Sequence, residues 1–332
     1  MRVAIVRNYD YAGVINRFGQ PCPEQYRETE VVESVAAALQ EAGHETLLCE
    51  GDKGLLTTLE RFMPPDPKAG PSGIVFNLAE GIQGEYRYTH VPAMLELAGV
   101  PYTGSNPLGH GLTNDKVITK RLIRDGGLPT PNFRVMRLGT ESTGDLRFPV
   151  VVKPRVEECS LGLQLVHEPA QLRQAVEAIV REYSQDALVE EYIEGREICI
   201  ALLGNKEIEV LPLVEQDFGG RAMRLMTWEA KYSAAAAVPK ICPAQIGSGL
   251  EMALRDISIA TFRACLCRDY ARVDVRIDRA GQPFVLEINP MPGLAKRSSY
   301  VQAATTAGYS FPRLVHRILN VAHKRCFGFD IP

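Results

Sequence analysis

A concentration of charged and amide side chains lies near the C-terminal end, in RVDVRIDRAGQPFVLEINPMPG, residues 272–293. Two strands joined by a short turn would place alternate side chains on one face, so that Arg272 and Asp274 project beside Glu287 and Asn289. Two carboxylates and an amide are oxygen ligands of the kind that Mg²⁺ prefers, together with the phosphates of a substrate. Arg272 could hold a transferring phosphoryl group or a developing oxyanion.

The alternative for this hairpin is a solvent-exposed face with cross-strand ion pairs, which is the commoner fate of charged strand residues. Several apolar residues alternate with the polar ones and would bury the hairpin: Val273, Val275, Val285, Leu286 and Ile288. They weaken the alternative, and the sequence therefore predicts a magnesium and phosphate site here.

Two upstream segments carry groups suited to a nucleotide. Lys153 ends the apolar strand FPVVVKP and precedes a turn with Ser160 and Gly162, where a lysine and backbone N–H groups can grip phosphate oxygens. In ALVEEYIEGRE, Glu190 and Glu197 could accept hydrogen bonds from an adenine amino group and from ribose hydroxyls. Taken singly, a solvated lysine and acidic charges at a strand edge remain the simpler interpretations.

The elements that must position these groups change in kind along the chain. Up to residue 104, short apolar strands alternate with helical segments, which predicts a parallel sheet with helices on its faces. A helix from Asn114, a hairpin with its turn at 155–160, and a strand at 187–193 follow; beyond Glu194 strands dominate. No internal repeat or low-complexity linker appears, so we expect boundaries near 105 and 195.

Bulk properties exclude several classes of protein. The 332 residues carry a net charge of −3, so no basic surface is expected for nucleic acid. The N-terminus lacks the pattern of an export leader, and no stretch approaches the ~20 apolar residues of a membrane span. The scattered cysteines have no zinc-ligand spacing, which favours reduced thiols in a cytoplasmic protein.

The order of these segments resembles the ATP-grasp superfamily and, within it, the D-alanine–D-alanine ligase family. The motifs that carry the resemblance are Lys116, VVKP, EEYIEGRE, WEAKY with CPA, and RVDVR with EINPMPG, and it extends from about Val75 to the last helix. It implies a mixed α/β and α+β chain with an ATP-grasp fold. An N-terminal βα domain (1–104) would bind substrate, and two α+β domains (105–194 and 195–332) would clasp ATP, the last holding the metals.

The resemblance also implies roles for individual residues. For ATP it implies phosphate contacts from Lys116, Lys153 and Lys231, adenine contacts from Glu190, Tyr192 and Ile193, and a ribose contact from Glu197. Two Mg²⁺ ions, replaceable by Mn²⁺, would bind Asp274, Glu287 and Asn289. The expected catalytic set is Arg272 as the transition-state arginine, Glu28 orienting the first amino group, Lys231, Tyr232 and Ser160. The expected substrate contacts are Gly293, Ser298, Cys159 and Arg87. A homodimer is implied as well.

The reaction implied is formation of an acyl phosphate from a carboxylate and ATP, followed by attack of an amine. Arg272 would stabilise the tetrahedral oxyanion, and closure of the segments 155–162 and 217–243 would exclude water.

This chain departs from the family in the phosphate turn, where Glu158-Cys159-Ser160 replaces Gly-Ser-Ser. A thiol is a poorer hydrogen-bonding group than a hydroxyl, so either the turn has drifted with Glu158 in solvent, or the first substrate is not D-alanine. We favour the second interpretation. Extra cationic groups occur at both substrate ends, where they either bind an acidic or bulkier substrate or are plain surface charges: Arg87, His90, Lys296 and Arg297.

The sequence therefore predicts an ADP-forming carboxylate–amine ligase that acts on small molecules, with a specificity other than D-alanine plus D-alanine. Two alternatives remain: a genuine D-alanine–D-alanine ligase of cell-wall synthesis, and a catalytically silent nucleotide-binding module. The presence of Lys153, Glu287 and Asn289 weighs against the silent module.

Overall fold

Three β-sheets form the framework of the part of the chain that the structure describes. The structure, a computed structural model, describes residues 1–8, 29–66, 70–221, 223–233 and 236–331, with Thr29 and Tyr232 described through their backbone. Among the described helices, none combines the length and the apolarity that a membrane span requires.

The first sheet is parallel, as the alternation of strands and helices predicts. Its strands are β1 (Arg2–Arg7), β2 (Glu45–Glu50) and β3 (Gly73–Asn77), in the order β2-β1-β3. Its helices are α1 (Thr29–Glu41), α2 (Leu55–Phe62) and α3 (His90–Leu97), the last preceded by a 3-10 turn, Arg87–Thr89. Beside β3, an isolated parallel bridge joins Val75 to Tyr102.

The second sheet is antiparallel and has the order β4-β7-β5-β6. Its strands are β4 (Phe133–Met136), β5 (Val150–Pro154), β6 (Gln164–Val166) and β7 (Ala187–Glu191). Three helices lie in the same part of the chain, α4 (Pro107–Asn114), α5 (Lys116–Asp125) and α6 (Pro169–Tyr183), and the first two also contact β13 (Pro283–Asn289). The predicted hairpin of β5 and β6 is confirmed. Helix α6 packs its apolar side, including Val176 and Ile179, on this sheet.

The third sheet has the order β11-β10-β8-β12-β13, with β9 on β8. Its strands are β8 (Gly195–Gly204), β9 (Ile208–Val210), β10 (Val214–Gln216), β11 (Lys240–Ile241), β12 (Tyr270–Asp278) and β13 (Pro283–Asn289). Its helices are α7 (Trp228–Tyr232), α8 (Ser248–Ala264), α9 (Ser299–Thr306) and α10 (Phe311–Phe327). Helix α8 covers the face that presents Ile198, Ile200 and Val273. The opposite face is therefore available for the polar residues of the same strands.

The proposed boundaries near 105 and 195 fall between the sheets, but the C-terminal helix crosses that division. Helix α10 packs on α1 in a core that also contains β1 and β3. Its Arg325 guanidinium pairs with Asp269 at 2.9 and 2.8 Å and donates to the Tyr102 carbonyl at 2.7 Å. The division into 1–104, 105–194 and 195–332 stays a prediction, because α10 joins the first sheet to the third.

Candidate active site

A cavity of about 350 Å³ lies between the second and third sheets, and most of the predicted site residues line it. These are Lys116, Lys153, Cys159, Ser160, Glu190, Tyr192, Ile193, Glu197, Lys231, Arg272, Asp274, Glu287, Asn289, Gly293 and Ser298. Residues that lie up to 182 positions apart in the chain, from Lys116 to Ser298, thus share one cavity. The placement allows a common reaction centre.

A few predicted residues are not among those that line the cavity. The Arg87 guanidinium lies over the Tyr88 ring at 5.2 Å, and Arg87 does not line the cavity. Lys296 is exposed and outside the cavity, whereas its neighbour Arg297 lines it. Glu28 and the side chain of Tyr232 lie outside the described residues, so their roles remain predictions.

Cross-strand register on the third sheet arranges the polar side chains in rows. Asp274 lies opposite Glu287 on β13, and Arg272 lies opposite Asn289. Directly opposed residues of antiparallel strands point to the same side, and alternate residues of one strand share a face. The hairpin therefore presents these four side chains together to the cavity.

Arg272 and Asp274 form a bidentate ion pair. The Nε and Nη2 atoms of Arg272 donate to the two carboxylate oxygens at 2.7 Å each. Burial alone would lower the pKa of Arg272, but Asp274 outweighs it and the pKa is raised above its usual value, so the guanidinium stays charged. Asp274 engages Nε and Nη2, which leaves the donors of the Nη1 group for another acceptor.

Glu287 is a carboxylate held ready by its surroundings. It makes no hydrogen bond or ion pair with the residues that the structure describes. Burial raises its pKa, but the four cations Lys153, Lys116, Lys231 and Arg272 overcome that effect and lower the pKa to about 2. An ionised carboxylate without a partner is suited to a metal ion or to a cation on a ligand.

The donor set fits magnesium. The open Glu287 carboxylate, the opposed Asp274 carboxylate and the Asn289 amide supply the hard oxygen ligands that this ion prefers. The backbone two residues further on orients the Asn289 amide, since Met291 N donates to Asn289 Oδ1 at 3.0 Å. This oxygen keeps a second lone pair. No group of three or more His, Cys, Asp or Glu side chains with metal-binding geometry occurs in the described part of the chain. A metal would therefore rely on the amide and on ligand phosphates.

Lysines from α5 and β5 surround Glu190. Lys120 Nζ and Lys153 Nζ each lie 2.6 Å from a different oxygen of this carboxylate, and all three side chains are almost fully buried. Burial would raise the pKa of Glu190, yet the two lysines lower it below its usual value. Burial lowers the pKa of Lys120 to about 8 against the opposing effect of Glu190. The Glu190 carboxylate, predicted to meet adenine, is thus engaged by two cations.

The turn after β5 is tied to the start of α5. Asp115 caps α5, accepting from Val117 N and Ile118 N, and its carboxylate also receives the Arg155 guanidinium at 2.7 to 2.9 Å. Lys116 Nζ donates to the carbonyl of Glu157. These contacts hold the predicted phosphate turn close to Lys116. The turn and this lysine are both predicted to bind the phosphates of ATP.

The tip of this turn has an unusual backbone. Cys159 and Ser160 adopt consecutive positive φ angles of 57° and 60°, a conformation that non-glycine residues rarely take. Successive backbone N–H groups in such turns can form a concave anion site. Glu158 is not in solvent: it lines the cavity and accepts a hydrogen bond from the Tyr88 hydroxyl at 2.7 Å.

The far end of the cavity contains a buried arginine. Arg276, 1 % exposed, pairs through Nη1 with Glu197 Oε2 at 3.1 Å, and its guanidinium lies over the Tyr192 ring at 4.8 Å. Burial, opposed by Arg276, raises the pKa of Glu197 to about 7. The predicted ribose carboxylate is therefore held in place by a charged partner.

Three residues were not identified from the sequence although they shape the site. Lys120 follows Lys116 by four residues, so helical spacing could have placed both on one side of α5. Arg276 continues the alternation of Arg272 and Asp274 along β12 and was visible for the same reason. The contact of Tyr88 with the phosphate turn had no local sequence signal.

The chain is similar to known proteins over most of its length. Residues 122–320 match the family described as D-ala D-ala ligase C-terminus. The chain is 70% identical over 334 residues to the uncharacterized protein y4sG of Sinorhizobium fredii, covering 100% of this chain and 99% of that protein. It is 31% identical over 315 residues to the D-alanine–D-alanine ligase of Moorella thermoacetica, covering 92% and 97%. The D-alanine–D-alanine ligase of Bacillus anthracis, solved in complex with ATP, superposes with a TM-score of 0.76 at 21% identity, covering 98% of each chain. The predicted ATP-grasp fold is confirmed.

Proposed function

The chain belongs to the D-alanine–D-alanine ligase family, and we propose that it activates a specialised small carboxylate as an acyl phosphate and joins it to an amine. As a member of this family it is an ATP-dependent ligase that forms a C–N bond and releases ADP and phosphate. The finer assignments of substrate and residue roles below are our proposal.

The environment of Glu287 carries this proposal. The three lysines and the arginine around this open carboxylate can neutralise the phosphates of ATP, while Glu287 and the opposed Asp274 can hold Mg²⁺. A catalytically silent nucleotide-binding module would have no need of Arg272 aimed at the same point.

In the first half-reaction, the donor carboxylate attacks the γ-phosphate of ATP. Lys116, Lys153 and Lys231 lie around this point and would bind the phosphate oxygens that gain charge. Two Mg²⁺ ions, or Mn²⁺, bound by Asp274, Glu287 and Asn289 would supply charge neutralisation and orient the phosphates. Glu190 keeps Lys153 in position, and Glu197 and the backbone at Tyr192 and Ile193 would receive the nucleoside.

In the second half-reaction, the amine attacks the acyl phosphate and phosphate leaves. The Nη1 group of Arg272 would donate to the developing oxyanion, a contribution of about 3 to 4 kcal/mol for one well-placed donor. The bidentate pair with Asp274 fixes the plane of the guanidinium before the reaction begins. Gly293 and Ser298, at the start of α9, would position the amine substrate.

We propose a donor other than D-alanine because of the wall that Glu158 and Cys159 form. Glu158 is held in the cavity by Tyr88, so an anion occupies the turn where the family pattern has glycine. The length of the Glu158 side chain reduces the room for a donor. Its charge disfavours an additional anionic group near the turn. The alternative is a genuine D-alanine–D-alanine ligase, which is what relatives such as the Moorella thermoacetica enzyme are.

Two further proposals concern the state of the protein. The resemblance favours a homodimer. A cytoplasmic location is favoured because all the described cysteines are free thiols, including the exposed Cys326.

The test is ADP release with Mg-ATP across D- and L-amino acids, offered singly and in pairs, with mass spectrometry of the product. We expect ADP and a ligated product in equal amounts for a pair that excludes D-alanine as donor. Full activity with D-alanine alone would overturn the specificity. Tight ATP binding without stimulated turnover for any pair would contradict the assignment as a ligase of amino acids.

A further inference from the structure

A polar corner lies beside Ser298 and Ser299, formed by Gln216, Lys240 and Cys199. Gln216 on β10 is opposed to Lys240 on β11, so both side chains point to the same face of the third sheet. All three line the same cavity as Arg272 and Glu287. None of them has a role in the reaction described above.

Gln216 is the first sign that this corner binds a ligand. It is 3% exposed, and its Nε2 donates to Ser299 Oγ at 3.0 Å and to Cys199 Sγ at 3.2 Å. Its Oε1 is buried and lacks a hydrogen-bond partner among the described residues. An unsatisfied buried polar atom costs free energy unless a ligand or water engages it.

The Gln216 amide can present either of its ends to the cavity. The Ser299 hydroxyl can donate as well as accept, so a rotated amide would keep its contact with Ser299. Its Nε2 would then face the ligand as a donor. The corner can therefore adapt to an anionic oxygen.

Lys240 is the second sign, and it supplies charge. Its Nζ donates to the carbonyl of Arg297 at 2.9 Å, and no acidic side chain of the described part of the chain lies within ion-pair distance of it. Burial, together with the Arg272 and Arg297 cations, lowers the pKa of Lys240. Because Asp274 is already paired with Arg272, it does not balance the charge of Lys240, and the corner has an excess of positive charge.

Given the proposed ligase reaction, on which this step rests, we infer that the corner binds a carboxylate on the side chain of the acceptor amine. Ser298 and Gly293 would contact the amino and carboxylate groups that every amino-acid acceptor has. Lys240, on β11, would contact the side chain of the acceptor. A small neutral acceptor would leave Lys240 without a counter-ion and Gln216 unsatisfied. The acceptor is thus an acidic amino acid rather than a small neutral one.

The experiment separates the two half-reactions. Hydroxylamine first traps the acyl phosphate as a hydroxamate, which identifies the donor without any acceptor. With that donor, kcat/KM is measured for D- and L-aspartate, glutamate, asparagine, glutamine, alanine and lysine. We expect the acidic acceptors to be preferred over their amides and alanine by about tenfold or more, the difference expected for a charge-assisted contact.

Variants then assign the preference to the corner. Lys240→Met should lower kcat/KM for the acidic acceptor about 10- to 100-fold and change that for alanine by less than about threefold. Gln216→Leu should act in the same direction. Lys296→Met is the matched control, because this lysine is exposed and outside the cavity, and it should leave the preference unchanged.

The outcomes are distinct. Hydroxamate formation with equal or better use of alanine, asparagine or glutamine by the unaltered enzyme overturns the acidic acceptor and leaves the ligase assignment in place. An unchanged preference in Lys240→Met also overturns it. Absence of hydroxamate with every carboxylate overturns both proposals together.

Discussion

The Tyr88 hydroxyl donates a 2.7 Å hydrogen bond to the carboxylate of Glu158, seventy residues further along the chain. Tyr88 is 4% exposed and stacks on His110, and burial raises its pKa well above the usual value, so the hydroxyl stays protonated. The contact joins the turn before α3 to the tip of the phosphate turn. It restrains the segment that is proposed to cover the reacting phosphates.

The first prediction concerns the removal of this contact. Tyr88→Phe should destabilise the protein by about 1 kcal/mol, the usual loss for one hydrogen bond. It should also raise ADP release in the presence of donor without acceptor, because a looser turn admits water to the acyl phosphate. Both effects are measured, by denaturant unfolding and by an ADP assay.

The matched control is Tyr102→Phe. It removes a similar hydrogen bond, from Tyr102 to Glu96 at 2.8 Å, at a position that does not line the cavity. It should reproduce the loss of stability without the gain in ADP release. Equal ADP release in both variants would show that Tyr88 has only a structural role.

The second prediction concerns Lys120, which shares Glu190 with Lys153. Lys120→Met should lower the free energy of unfolding by about 2 to 4 kcal/mol, because it breaks a fully buried ion pair. We expect KM for ATP to rise more than kcat falls, since Lys153 remains beside the phosphates. The variant is compared by chemical denaturation and by steady-state kinetics.

Lys324→Met is the control for this variant. The Lys324 ammonium lies 2.9 Å from Asp330 with both side chains more than half exposed, so solvent screens the pair and its loss should leave the free energy of unfolding nearly unchanged. Equal effects of the two variants would contradict the importance given to burial of Lys120.

How far the sequence predicts this structure depends on the distance along the chain over which a contact acts. The hairpin of β12 and β13 was predicted because alternation and a short turn are local properties, and its register places Asp274 opposite Glu287. The contact of Lys120 with Glu190 joins a helix to a strand and depends on tertiary packing. Its partners are visible in the sequence, but their pairing is not.

The two ends of the site differ in how far the sequence predicts them. Lys153 and the metal residues lie on strands whose pattern is read directly from neighbouring residues. At the substrate end, Glu158 lies in a turn and Gln216 lies on a strand, and separate segments of the chain bring them to the same cavity. Glu158, which could have been in solvent, faces the cavity because Tyr88 holds it.

The third prediction is a pH dependence of ATP binding through Glu197. The pKa of this group is raised from 4.5 to about 7, so the folded protein binds a proton that the unfolded chain releases between these values. The stability contribution of Glu197 is therefore largest at low pH and is lost as the pH rises through about 7. ATP binding follows the opposite trend, because the ionised carboxylate is the better acceptor for ribose hydroxyls.

We expect KM for ATP to rise as the pH falls below about 7, and Glu197→Gln to remove this dependence. The variant should have a KM for ATP that is about tenfold higher at pH 8, the loss expected for a hydrogen bond to a charged group. A pH profile of KM identical in the variant and the unaltered enzyme would show that another group titrates.

The fourth prediction tests the carboxylate on which the proposed function rests. Glu287→Gln should lower kcat by at least about 100-fold, since metal assistance contributes several kcal/mol to such reactions, and should raise the Mg²⁺ concentration needed for half-maximal activity. Glu215→Gln is the control, because Glu215 is also on the third sheet but pairs with Arg196 outside the cavity.

Glu287→Gln should also change the stability of the protein without Mg²⁺, an effect that a loss of metal binding alone would not produce. The pKa of Glu287 is lowered to about 2, so its charge stabilises the fold fully above its usual value of 4.5 and this contribution is lost as the pH falls toward 2. In Glu287→Gln the surrounding lysines and Arg272 lose their common counter-ion. Without Mg²⁺, the variant should therefore unfold more easily than the unaltered protein at pH 7, and the difference should shrink on acidification. A Glu287→Gln protein with unchanged stability across that range would contradict the electrostatic description of the site.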